Sequence, residues 1–102
     1  MADHSIKGKV VLIAGGAKNL GGLIARDLAE QGARAVAIHY NSAASKAEAD
    51  ATVAAIQAAG AKAVALQADL TTAAAVEKLF TDAVAAVGRP DIAINTCLLY
   101  TS

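Results

Sequence analysis

The chain predicts an α/β fold, a parallel sheet with helices packed on both of its faces. Three observations predict it. Short apolar runs alternate with longer stretches of helical periodicity, the first run breaks into a glycine-rich turn, and that turn opens directly into a helix-like run. Strands separated by helical crossovers lie parallel. The expected spatial order is 3-2-1-4, the N-terminal half of a doubly wound sheet, truncated after strand 4.

Each element has a local reason. Lys9–Ala14 reads as a buried strand, and Leu20–Gln31 as a helix closed by Gly32. Ala35–Tyr40 is the second strand. Asn41 and Ser42 are caps for an alanine-rich helix over Ala43–Ala59, which stops at Gly60. Ala63–Gln67 is the third strand. Thr71 or Thr72 caps the next helix, in which Val76, Leu79, Phe80, Ala83 and Val87 recur at helical spacing. Gly88-Arg89-Pro90 ends that helix, because proline disfavours a helical residue before it. Asp91–Thr96 begins a fourth strand. The abundance of alanine suits helix propensity and close helix–sheet packing.

Composition bounds the function. At 102 residues the chain is at most one small domain or a piece of a larger one. Apolar residues reach 56% but aromatics only 3%, so there is core material of low area per side chain. Nine basic residues balance nine acidic ones, which gives no electrostatic grip on nucleic acid or an anionic membrane. No secretory or membrane-spanning apolar stretch is present, and one cysteine forms no internal disulfide, so a cytoplasmic setting is expected. His4 and His39 are too few and too separated to define a metal site, and His39 is expected at a strand end near an adenosine. The helical carboxylates read as solvated faces. The glycine turn lacks the Gly-Lys-Ser/Thr of a nucleoside-triphosphate loop.

The turn itself, Gly15-Gly16-Ala17-Lys18-Asn19-Leu20-Gly21-Gly22, favours a dinucleotide. Small residues let backbone N–H groups approach a pyrophosphate, and the following helix N-terminus adds a favourable dipole.

The frame Ala14-Gly15-Gly16-Ala17-Lys18-Asn19-Leu20-Gly21 resembles the Thr-Gly-x-x-x-Gly-x-Gly turn of the short-chain dehydrogenase/reductase family. Two of the three glycines match. Ala14 replaces the threonine, whose hydroxyl ties the turn to its neighbours in the family, and Asn19 replaces the middle glycine; asparagine tolerates a left-handed backbone. Asp69-Leu70 matches the family's acidic-apolar pair, and Asp91-Ile92-Ala93-Ile94-Asn95 resembles its Asp-Ile-Leu-Val-Asn strand. The three motifs cover nearly all of residues 7–96, and His39-Tyr40-Asn41 looks closest to 3-oxoacyl-carrier-protein reductase and glucose dehydrogenase-like members.

The resemblance implies a Rossmann domain and an oxidoreductase that transfers hydride between NADPH and a carbonyl or alcohol. The implied cofactor-binding residues are Gly15, Lys18, Asn19, Leu20, Gly21, Tyr40, Asn41, Asp69, Leu70 and Asn95, with Asp69 on the adenine amine. Its catalytic Ser, Tyr, Lys and supporting Asn are expected beyond this chain, and Tyr40 and Ser42 are not substitutes for them. Without those catalytic residues the 102-residue chain is expected to be inactive, and with one helix alone on one sheet face and strand 4 left as an unpaired edge it is expected to be poorly folded; the resemblance implies that the parent is a tetramer. No acid stands at His39, Tyr40 or Asn41 to repel a 2′-phosphate, and Lys18 sits where NADP-using relatives place a basic residue. Both favour NADP over NAD.

Cys97-Leu98-Leu99-Tyr100-Thr101-Ser102 breaks the pattern and resembles a translated sequencing adapter, spelled by TGT CTC TTA TAC ACA TCT. Residues 1–96 are read as a partial dinucleotide-binding domain and 97–102 as a non-native tail; the alternative is a true apolar strand extension. The alternative function is a non-catalytic dinucleotide-binding module or a degenerate truncated product.

Overall fold

The computed structural model describes residues 6–15 and 19–96. Strands β1 (Val10–Ala14), β2 (Ala35–Tyr40), β3 (Lys62–Gln67) and β4 (Ile92–Asn95) alternate with helices α1 (Asn19–Glu30), α2 (Lys46–Ala58) and α3 (Ala73–Val87). All pairings are parallel and the sheet order is β3-β2-β1-β4, as the crossover pattern predicts. Register runs Val10 to Ala35 and Ile13 to Ile38 on one side of β1, and Val11 to Ile92 and Ala14 to Asn95 on the other.

Period-two alternation sorts the strands into two cores. Val11, Ile13, Val36, Ile38 and Tyr40 face α1 and α2, packing with Ala25, Leu28, Ala29, Ala49 and Ile56. Val10, Leu12, Ala35 and Ala37 face α3 and pack with Ala83 and Val87. β2 is buried along its whole length. Burial of a side chain such as Ile13, Ile38 or Ile56 contributes about 1.5–3 kcal/mol.

The structure moves several boundaries by a residue and changes two local details. The helix expected over 43–59 is divided: Ala43–Ser45 forms a tight 3-10 turn, held by the Ser45 N–H on the Ser42 carbonyl at 3.0 Å, before α2 begins. Ser42 is extended and its side chain makes no capping bond. At α3, Thr72 rather than Thr71 is the cap, accepting from the Ala75 N–H at 3.1 Å. Leu79, Ala83 and Val87 are buried, whereas Val76 and Phe80 are about half exposed. Asp91 fastens β4 to the start of β1: its carboxylate accepts from the Val10 N–H at 2.9 Å, and its own N–H donates to the Val10 carbonyl at 2.8 Å. Among the described residues no helix is long and apolar enough to cross a membrane.

Candidate nucleotide-binding site

β1, β2 and β4 run parallel and end at a common edge. A cavity of about 730 Å³ opens at this edge on the α3 side. Ala14 and Asn95 line it from the ends of β1 and β4, His39 and Asn41 from the end of β2, and Asp69, Leu70 and Thr71 from the connection between β3 and α3. A crevice outside the carboxyl ends of parallel strands, beside a strand whose neighbours lead in opposite directions, is where such sheets take ligands.

Four residues expected at a cofactor, Asn41, Asp69, Leu70 and Asn95, thus converge on one cavity. Gly15 and Gly21 meet beside it. Gly15 has φ +77, the left-handed region that favours glycine. Gly21 lies in the first turn of α1 so close to Gly15 that a β-carbon there would fall 2.1 Å from the Gly15 carbonyl oxygen. Asn19 is the first residue of α1, and Leu20 follows with its side chain on the surface. Tyr40 lies elsewhere: alternation turns it to the α1/α2 face, where it is buried in the core cluster rather than lining the cavity. Lys18 and the tail Cys97–Ser102 lie outside the described residues.

Two residues absent from the expected set hold the turn. Thr96 donates its hydroxyl to the carbonyls of Ala14, at 2.8 Å, and Gly15, at 3.1 Å. Its N–H also bonds the Ala14 carbonyl at 2.9 Å. The hydroxyl that the family pattern places at position 14 is here supplied from the opposite strand. His39 is buried, with Nδ1 accepting from the Gly15 N–H at 3.1 Å and Nε2 at 2.7 Å from the Ala68 carbonyl. The signal for His39 was its place on the strand: position 39 alternates with Ala35 and Ala37 and so faces the cavity side. Thr96 had only the bare Ala14 as a clue.

Strand order and crevice together define the class, a parallel, doubly wound α/β domain of the Rossmann type. Residues 9–94 match the KR domain, and the chain belongs to this branch of the short-chain dehydrogenase/reductase family. An uncharacterized oxidoreductase of Methylorubrum extorquens is 45% identical over 95 residues, covering 93% of this chain and 37% of its own. A hydroxynaphthalene reductase of Aspergillus fumigatus is 44% identical over 90 residues, 88% of this chain and 32% of its own. The chain therefore spans about a third of the length of these curated relatives. Among solved structures, a protein assigned as a dehydrogenase from Burkholderia cenocepacia, with bound NADP, superposes with TM-score 0.89 at 72% identity, covering 92% of this chain and 36% of that one. A blue fluorescent protein from a metagenomic library, in complex with NADPH, superposes with TM-score 0.87 at 35% identity, over 96% of this chain and 39% of that one.

Proposed function

We propose that this chain carries the adenosine- and pyrophosphate-holding part of an NAD(P)-dependent oxidoreductase that uses NADPH by preference on a carbonyl or alcohol substrate. The observation that carries the proposal is the convergence of Asn41, Asp69, Leu70 and Asn95 on one crevice, which Ala14, the residue before Gly15, also lines.

The donor set fits the cofactor. The turn and the start of α1 offer backbone N–H groups and a positive dipole end to a pyrophosphate. Asp69 accepts from an adenine amine, Leu70 offers apolar contact to the base, and Asn41 serves the ribose without the charge that would repel a 2′-phosphate. Lys18 adds a cation for that phosphate, and Asn95 lines the crevice from the end of β4. The bound NADP and NADPH of the two structural relatives support the same choice. When bound, NADPH supplies hydride to a carbonyl carbon, and the residues described here bind and orient it. Tyr40 contributes through the core beneath the strand end.

The test uses ligands that match this half of the site. Calorimetric titration with 2′-phospho-ADP-ribose and with ADP-ribose is expected to show tighter binding of the phosphorylated ligand. Asn41→Asp places a carboxylate at the strand tip and is expected to weaken the phosphorylated ligand about tenfold relative to the other, by like-charge repulsion. Absence of binding by both ligands to a chain shown folded by circular dichroism overturns the reading; an unchanged preference in Asn41→Asp overturns the role of Asn41.

A further inference from the structure

The two hydrogen bonds of His39 assign its tautomer and give it a task. A carbonyl only accepts, so the 2.7 Å contact with the Ala68 oxygen requires the proton on Nε2. The Gly15 N–H only donates, so Nδ1 presents its lone pair at 3.1 Å. His39 is 1% exposed, so water does not replace either partner readily. One neutral imidazole therefore ties the glycine turn after β1 to Ala68, the residue directly before Asp69.

We infer that His39 is a positioning residue for the dinucleotide: it holds the pyrophosphate wall and the adenine wall of the crevice in register, and does so only in its neutral Nε2–H form. The inference rests on the reading given under Proposed function. Among the described residues lining the cavity with His39, Asp69 is the other ionisable group. The Gly15 N–H is consumed by this tie, so Gly15 shapes the turn and the phosphate is left to other donors.

Two isosteric halves of the imidazole separate positioning from core filling. His39→Asn sets an amide oxygen near the place of Nδ1 and keeps an acceptor for Gly15. His39→Gln reaches the Ala68 carbonyl with an amide N–H and leaves the Gly15 N–H without its acceptor. Each cuts one end of the bridge, so both are expected to lower thermal stability and to weaken 2′-phospho-ADP-ribose roughly tenfold at temperatures where they remain folded. Imidazole nitrogen shifts of the ligand-free protein should report the Nε2–H tautomer. Wild-type affinity in either folded variant, or an Nδ1–H tautomer, overturns the inference. Failure of the wild type to bind either ligand instead overturns the functional reading on which it rests, and with it this role.

Discussion

Gly21→Ala tests the close approach that shapes the site. The added β-carbon falls 2.1 Å from the Gly15 carbonyl oxygen, 2.6 Å from Thr96 Oγ1 and 2.8 Å from the Gly15 carbonyl carbon. Ordinary contacts lie at about 3.5 Å, so the first turn of α1 or the Gly15 peptide must move by about 1.4 Å. A rotamer change does not relieve the clash, because two of the three obstructing atoms are backbone. Overpacking of this kind costs about 1–3 kcal/mol, and the better helix propensity of alanine offsets at most about 1 kcal/mol. The net expectation is a loss of about 1–2 kcal/mol, read as a urea midpoint lowered by about 0.5–1 M. Displacing the α1 N-terminus should also weaken 2′-phospho-ADP-ribose about tenfold. Gly60→Ala is the control: its φ of +98 strains an alanine, but the β-carbon meets open space, so stability falls while affinity holds. A Gly21→Ala protein with the wild-type midpoint would refute the close-approach argument.

Two further substitutions probe other parts of the molecule. Thr96→Val removes the hydroxyl that donates to the Ala14 and Gly15 carbonyls while keeping the side-chain shape, and should cost about 1–2 kcal/mol in urea denaturation; Thr96→Ser should restore most of it, and a Val variant as stable as wild type would contradict the tie. On the surface, the Lys46 ammonium lies 2.9 Å from the Asp50 carboxylate, and that hydrogen bond followed by charge attraction raises its pKa above 10.5. A raised value means that any stabilisation from the pair is full below 10.5 and is lost as pH rises through the folded value. Because the lysine is solvent-exposed, Lys46→Met should leave the midpoint at neutral pH nearly unchanged and should flatten its alkaline decline; a large neutral-pH loss would show the pair to be more than a surface contact.

The fold was legible because its signals are periodic and local. Alternation in β2 sorts six consecutive residues onto two faces, and the glycine turn marks the passage from β1 to α1. The cavity wall of Asn41, Asp69, Leu70 and Asn95 was legible through the family resemblance, and the fold gives its physical reason: each residue sits at or just beyond a strand end, and strand ends share an edge. The rest depended on contacts that no local pattern announces. Tyr40 follows His39 directly, yet one step along a strand exchanges the cavity side for the opposite core. Thr96 and Gly15 stand 81 positions apart, so their hydrogen bond exists only once β1 and β4 are paired. The 3-10 turn before α2 escaped because serine and asparagine before an alanine run suit a helix cap and a tight turn alike.

The alanine richness, neutral as a composition, acquires a role at the crevice. The face of the sheet toward α1 and α2 carries Val11, Ile13, Val36 and Ile38, and those bulky side chains fill the space up to the helices. The face toward α3 carries Ala35 and Ala37 in β2, with Ala14 and Ala93 toward the carboxyl edge. Where α3 packs near its C-terminal end, Ala83 and Val87 close on Val10 and Leu12. Toward its N-terminal end the small floor of Ala14 and Ala93 lies beneath Val76, Leu79 and Phe80, and the interval between floor and helix is the cavity. Side-chain volume thus sets depth on one face and closure on the other. The same β1 that buries Ile13 against α1 and α2 keeps Ala14 short at the crevice, so the residue that forgoes the expected hydroxyl also leaves room, while Thr96 supplies the tie from the neighbouring strand.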